Sequence, residues 1–346
     1  MKKFTVVSAV ALGLFGAGCG PSEPEADTTA ASSAPASEGT VLKISDALDS
    51  IVPADYKIEK LAGGFVFTEG PVWVREGGPY LLFSDVRGNA IYKWTPGNTQ
   101  ATDFKKPVLE GDVPEGSLAG SNGLTLDGQG RLMICEHGNR RISRMEKDGT
   151  QAVVVNSYNG KRLNSPNDLT YKSDGWLYFT DPPYGLPKQD EDPEKELDFN
   201  GVFRLSPDEK TLELLTRDQT RPNGIAFSPD EKTLYVANSD AGRKVWIAYD
   251  VQADGKIANR RVLFDVTSET SEGLPDGLKV DTSGNIYATG PGGVWIFNPA
   301  GEHLGTIQPT EVPANVAWGD DGRTLYMTAR TGLYRITLLS EGKLLP

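Results

Sequence analysis

The sequence predicts an all-β fold, a six-bladed β-propeller built around a central channel. Three observations predict it. The composition is turn-rich, with 39 Gly and 23 Pro in 346 residues at a hydrophobic fraction of 38%. Glycine and proline at that level punctuate short strands and disfavour long helices. A weak unit of about 40 to 55 residues recurs six times, each a meander of short apolar strands, which fits propeller blades better than solenoid coils. The same register position in every unit carries an oxygen-bearing side chain.

The units open at Glu69-Gly70-Pro71, Asn122-Gly123-Leu124, Asn167-Asp168-Leu169, Asn223-Gly224-Ile225, Asp276-Gly277-Leu278 and Asn315-Val316-Ala317. Second strands follow at residues 80–84, 131–135, 176–180, 233–237, 285–288 and 324–328, with alternating apolar character. Residues 56–66 precede the first unit and read as a strand that closes the ring as the outer strand of blade six. The six Trp residues read as core or inter-blade packing. The charged stretch 188–198 reads as a solvated insertion, with a lid over the channel mouth as the alternative.

The N-terminus is a separate segment. Lys2 and Lys3 precede an apolar run from Phe4 to Ala17, which meets Gly18-Cys19. The run is too short to span a bilayer and suits a signal peptide over residues 1–18. A cysteine after small residues resembles a bacterial lipobox, although Gly16 stands where Leu is usual. Processing there leaves Cys19 as a lipidated first residue. Residues 19–40, rich in Ala, Ser, Pro, Glu and Thr, read as a disordered tether, and residues 41–346 as the propeller. The expected location is the periplasmic face of a bacterial membrane. Gly20, rather than Asp, after the cysteine favours the outer membrane.

The formal net charge is −12, which repels phosphate backbones and argues against nucleic-acid partners. Only Cys19 and Cys135 exist, so lipidation of Cys19 leaves no disulfide, and Cys135 reads as a core thiol. Two His and no paired Cys disfavour a classical Cys/His zinc site.

The start of each first strand lies beside the channel. Glu69, Asn122, Asn167, Asn223, Asp276 and Asn315 therefore form a ring at one mouth. Singly, each Asn-Gly or Asp-Gly reads as a turn signal. Their shared register reads instead as convergent oxygens. Calcium takes six to eight oxygens of this kind, so the ring suits Ca²⁺ first, with Mg²⁺, Mn²⁺ or Zn²⁺ as substitutes.

The segments EGPVW (69–73), NSPNDL (164–169), FTDPPYG (179–185), RPNGIAFSPD (221–230) and PDGLKVD (275–281) resemble the family of senescence marker protein, gluconolactonase and luciferin-regenerating enzyme. CEHGNRR (135–141) and FTDPPYG are most similar to its bacterial gluconolactonase-like branch. The resemblance implies a six-bladed propeller holding a divalent metal, with Glu69, Asn167, Asn223 and Asp276 as ligands and Asp276 also as general base. It implies a small-molecule lactone as substrate. Asn122, Ser165, Asp181, Tyr184 and His137 are the expected substrate contacts, with Asn122 and Asn315 near substrate or bound water. Animal members carry an Arg that binds the sugar two residues before the Asn matching Asn167. This chain has Ser165 there, so the sugar preference does not carry over.

The expected activity is metal-dependent lactone hydrolysis, opening a sugar lactone to the aldonic acid. The sequence leaves open whether Asp276 or the metal activates the water. No G-x-S-x-G elbow is present, which disfavours a serine mechanism. Hydrolysis of organophosphates or aryl esters on the same ring, and a non-catalytic binding propeller with structural calcium, are the alternatives. Arg87 and Arg330 are further candidates for shaping the pocket, and oligomeric state is not legible.

Overall fold

The computed structural model describes residue 1, residues 36–112 and residues 117–346. Cys19, the signal peptide and most of the tether lie outside the described residues. The propeller unit runs from Ala36 to Pro346.

Six antiparallel sheets radiate from one channel. Blade one comprises Thr68–Val74, Tyr80–Asp85, Ala90–Trp94 and Thr102–Lys105 from the inside outward. Blades two to five open on Ser121–Leu126, Leu169–Tyr171, Pro222–Phe227 and Leu278–Val280. Blade six opens on Pro313–Gly319 and takes its outer strand, Ile58–Gly63, from the N-terminal side. That strand pairs with Gly332–Thr337, so the ring closes as the sequence predicts.

One boundary moves. Gly39 and Thr40, placed in the tether by composition, lie in the strand Gly39–Lys43. It adds a fifth strand to blade five by pairing with His303–Pro309. Outer-strand edges expose unpaired backbone groups, and a fifth strand covers one such edge.

The core lies between the blades. One apolar cluster fills each of the six interfaces, as with Leu82 and Ile134 between blades one and two and Tyr178 and Val236 between three and four. In the second strand of blade one, Leu81 and Phe83 face blade six while Leu82 faces blade two. These strands are therefore buried on both faces, and their side chains alternate between neighbours rather than between core and water. Five of the six Trp are buried. Trp176 is only partly so, and lies under the Arg204 guanidinium at 4.2 Å. Cys135 is a buried free thiol. Among the described residues, no helix is long and apolar enough to cross a membrane.

The ring motifs lie at inner strands rather than in turns. Gly70, Gly123, Gly224 and Gly277 each follow a ring residue. A Cβ on Gly123 would sit 2.6 Å from the Asn167 carbonyl, and one on Gly224 would strike the Asp276 carbonyl. Glycine is required there because neighbouring inner strands converge on the channel. Hydroxyls at second strands bridge this gap. Ser84 donates to the Asn122 carbonyl, Thr180 to that of Asn223 and Thr289 to that of Ala314, each at 2.7 Å.

Candidate metal centre and active site

The six ring residues lie at neighbouring inner strands around the channel, but they are not equivalent. Asn122, Asn167 and Asn223 are buried, and the Oδ1 of each has no hydrogen-bond donor among the described residues. Asp276 Oδ1 is likewise buried and unpartnered. A buried acceptor left unpaired costs about 1–3 kcal/mol, so four around one opening are not explained by folding. Asn315 differs. Its Oδ1 accepts from the Val316 N–H at 2.8 Å, and its Nδ2 donates to Glu69 Oε2 at 3.0 Å. Asn315 therefore positions Glu69 rather than offering an oxygen. Asn122 belongs with the open acceptors.

Asn223 is oriented from behind. Its Nδ2 donates to Ser239 Oγ at 2.9 Å, and Ser239 donates onward to the Pro275 carbonyl beside Asp276. Asp276 is the only ring residue that is not fully buried. It thus combines a buried oxygen with access to the mouth.

Two channel groups escape the sequence reading. Asp168 stands where blades one, two, four and five carry Gly. It is buried, its Oδ1 accepts from the Leu169 N–H at 2.8 Å, and its Oδ2 lies 3.9 Å from Lys279 Nζ. The missing glycine in the repeat alignment is the signal that could have found it. Lys279 comes from the inner strand of blade five and also lines a cavity of about 410 Å³ at the end of the inner strands away from the ring, where Pro229 and Thr282 join the lining. Val72, Leu124, Leu169 and Trp318 line that cavity with it.

Burial pushes the carboxyls of Glu69, Asp168 and Asp276 above their ordinary range. At Asp276 the charges of Glu69 and Asp168 add to that rise. The ring thus has surplus negative charge and surplus acceptors. No group of three or more His, Cys, Asp or Glu among the described residues is arranged as a metal cluster, since amides supply much of this donor set. Hard all-oxygen donors of mixed amide and carboxylate type fit Ca²⁺, and unpartnered oxygens are what such a cation would occupy.

The expected substrate contacts divide. Tyr184 is partly buried, with its phenol in the field of the Asp276 carboxylate and beside Ser239 and Asn223. Burial, then the Asp276 charge, pushes the phenol above its usual range. Ser165 is fully buried. Its Oγ donates to the Pro182 carbonyl at 2.6 Å and accepts from the Gly185 N–H at 2.9 Å. Its hydroxyl anchors the Tyr184 loop and is not offered to a ligand. Asp181 is also fully buried. Its two oxygens accept from the Asn164 and Ser165 N–H groups at 2.8 Å, opposing the burial that pushes its carboxyl up to about 7. Asp85 does the same in blade one for Val66 and Phe67 at 2.9 Å, so Asp181 is part of the frame.

His137 is fully buried beneath this loop. A Cβ on Gly185 would lie 2.6 Å from its carbonyl. Its ring nitrogens have no well-formed hydrogen bond among the described residues, and burial holds the imidazole down to about 4, hence neutral. Arg330 pairs with Glu272 across the mouth. The 188–198 stretch is not a free insertion. Asp190 pairs with Arg221 and accepts from Asn200 at 2.9 Å, and Leu197 is buried. His303, in the strand His303–Pro309, stacks on Trp295 with ring centroids 4.2 Å apart.

This fold and ring define a six-bladed propeller with an oxygen-lined channel, and the comparisons with known proteins specify the family. Residues 67–331 match the SMP-30/Gluconolactonase/LRE-like region. The chain belongs to that family. A gluconolactonase from Zymomonas mobilis is 40% identical over 315 residues, covering 88% of this chain and 87% of that protein. A solved gluconolactonase from Xanthomonas campestris superposes with a TM-score of 0.75 at 32% identity, covering 88% of this chain and 97% of its own. Regucalcin from Agrobacterium tumefaciens, a calcium-binding protein, superposes with a TM-score of 0.64 over 83% of this chain and 97% of its own. At 16% identity it speaks for the fold alone.

Proposed function

We propose that this protein is a divalent-cation-dependent lactonase of the gluconolactonase type, opening a sugar lactone to its aldonic acid. The observation that carries the cation requirement is the set of four buried, unpartnered oxygens on Asn122, Asn167, Asn223 and Asp276. The gluconolactonase relative at 40% identity supports the lactone class. Glu69, Asn167, Asn223 and Asp276 would hold the cation, with Ca²⁺ favoured by the donor set. When bound, the cation supplies Lewis-acid polarisation of the lactone carbonyl.

The chain's own residues do the rest. Asp276, alone in the ring in reaching the mouth, takes a proton from a water as that water's oxygen bonds to the carbonyl carbon. The ring C–O bond then opens, and the proton returns to the departing alkoxide oxygen. Burial and the charges of Glu69 and Asp168 raise the basicity of Asp276, which offsets the lowering that a bound cation brings. Ser239 fixes Asn223, Asn315 fixes Glu69, and Ser165 fixes the loop that presents Tyr184 to the substrate.

The test is hydrolysis of glucono-δ-lactone with Ca²⁺ against excess chelator, after subtraction of spontaneous opening. Turnover abolished by chelator and restored by Ca²⁺ is expected. Turnover indifferent to chelator would overturn the cation requirement. Turnover of aryl esters or organophosphates but not lactones would move the substrate class.

The reading includes export as a lipoprotein on Cys19, supported by the charged, apolar and small-residue pattern that precedes it. A Cys19→Ser variant should leave the detergent phase in cell fractionation. Unchanged partition would remove the anchor.

A further inference from the structure

We propose that Lys279 sets the charge of the cation this channel accepts. The inference rests on the cation reading above and goes beyond it, by assigning a selectivity role to a residue outside the ring.

The channel is an accounting problem in buried charge. Three buried or partly buried carboxylates converge on it, Glu69, Asp168 and Asp276; Asp168 bears on Glu69, and both bear on Asp276. Asp168 exists because blade three carries a carboxylate where four other blades carry Gly. Among the described residues, Lys279 is the cationic side chain that bears on both Glu69 and Asp168. It lies 3.9 Å from Asp168 Oδ2 and reaches there from blade five, two blades away. Neither Arg330 nor Arg221 does this work, since Arg330 is paired with Glu272 at the mouth and Arg221 with Asp190.

Three carboxylates and one ammonium leave two negative charges. One divalent cation neutralises that excess. Glu69 and Asp168 are 1% and 2% exposed, and an uncompensated charge on buried groups is costly, so the ion whose valence closes the balance is favoured. Without Lys279 the balance closes at three, and a trivalent ion of similar size and oxygen preference gains relative to Ca²⁺. Lys279 is a positioning and selectivity residue, since its ammonium donates to the Leu278 carbonyl at 3.0 Å and faces Asp168 Oδ2 at 3.9 Å rather than the proposed ligands.

The experiment is a competition on the full chain between Tb³⁺ and Ca²⁺, read by Tb³⁺ luminescence, with the unfolding temperature of each ion-free variant as a check on folding. Lys279→Met should raise the preference for Tb³⁺ over Ca²⁺ by at least about tenfold, the scale of one unit charge a few ångströms away. Asp168→Asn should shift the preference the other way. The double variant Asp168→Asn/Lys279→Met restores two net negative charges and should return the preference close to the parent value. If Lys279→Met fails to fold, the double variant and Lys279→Gln carry the test. A parent chain that binds both ions, with an unchanged preference in Lys279→Met or no restoration in the double variant, overturns this inference alone. A parent chain that binds neither ion overturns the cation reading together with it.

Discussion

Two sets of buried oxygens sit within a few residues of each other in this propeller, and they have opposite characters. The inner ring presents Asn122, Asn167, Asn223 and Asp276 with unpartnered oxygens. The collar at the ends of the second strands presents Asp85, Asp181 and Asn238, and every one of these is engaged. Asp85 receives the N–H groups of Val66, Phe67 and Gly88, and Asp181 those of Asn164 and Ser165. Asn238 receives the Arg221 N–H at 2.9 Å and donates to the Arg243 carbonyl. The residue types overlap, and so does the burial. The difference is the supply of donors, and it separates a site awaiting a ligand from a frame that is already satisfied.

The comparison can be broken by swapping consequences between the two sets. The largest effect is expected at Asp276. Asp276→Asn should reduce lactone turnover by about 10³-fold with folding retained, within the usual range for loss of a general base. Turnover within tenfold of the parent would take the proton from some other group.

Next comes the collar. Asp181→Ala strands two buried N–H donors, so it should cost about 2–4 kcal/mol in urea unfolding while the stabilisation by Ca²⁺ survives. The ring should behave in reverse. Asn223→Ala should leave the ion-free protein within about 1 kcal/mol of the parent, because the lost oxygen had no donor and Ser239, which loses the Nδ2 bond, keeps its bond to the Pro275 carbonyl, but abolish the Ca²⁺-induced rise in unfolding temperature. If Asp181→Ala abolished that rise and Asn223→Ala kept it, the division between frame and site would be wrong.

The smallest effect sharpens the boundary at His137, whose buried imidazole is held down to about 4 from 6.5. The unfolded chain gains a proton as pH falls through 6.5, whereas the folded chain resists until about 4. The folded state therefore loses stability on acidification across that window, and the contribution is complete above it. Between pH 7 and pH 5 the parent should lose about 2 kcal/mol more than His137→Gln. Equal losses would mean that the imidazole is solvated or paired in the folded state.

Much of this was legible in the chain. Repeat register is a local property, written as an apolar strand behind an oxygen side chain. Six such openings and a leftover strand at 56–66 sufficed for the blade count, the ring and the closure of blade six. The strand Gly39–Lys43 was hidden because its partner lies far away in blade five and its composition merges with the tether. Ser165 and Asp181 were misread as substrate contacts because a polar residue in a conspicuous motif looks the same whether it faces a ligand or the backbone.

The sequence by itself determined the propeller, the ring and the family, since these depend on patterns repeated along the chain. Tertiary structure alone decided which ring oxygens stay open, that Asn315 serves Glu69, and that Asp168 meets Lys279 across the channel. The physical reason is sequence distance. The Asn315 to Glu69 hydrogen bond spans 246 residues, and donor satisfaction is settled only when blades from the two ends of the chain close on the same axis.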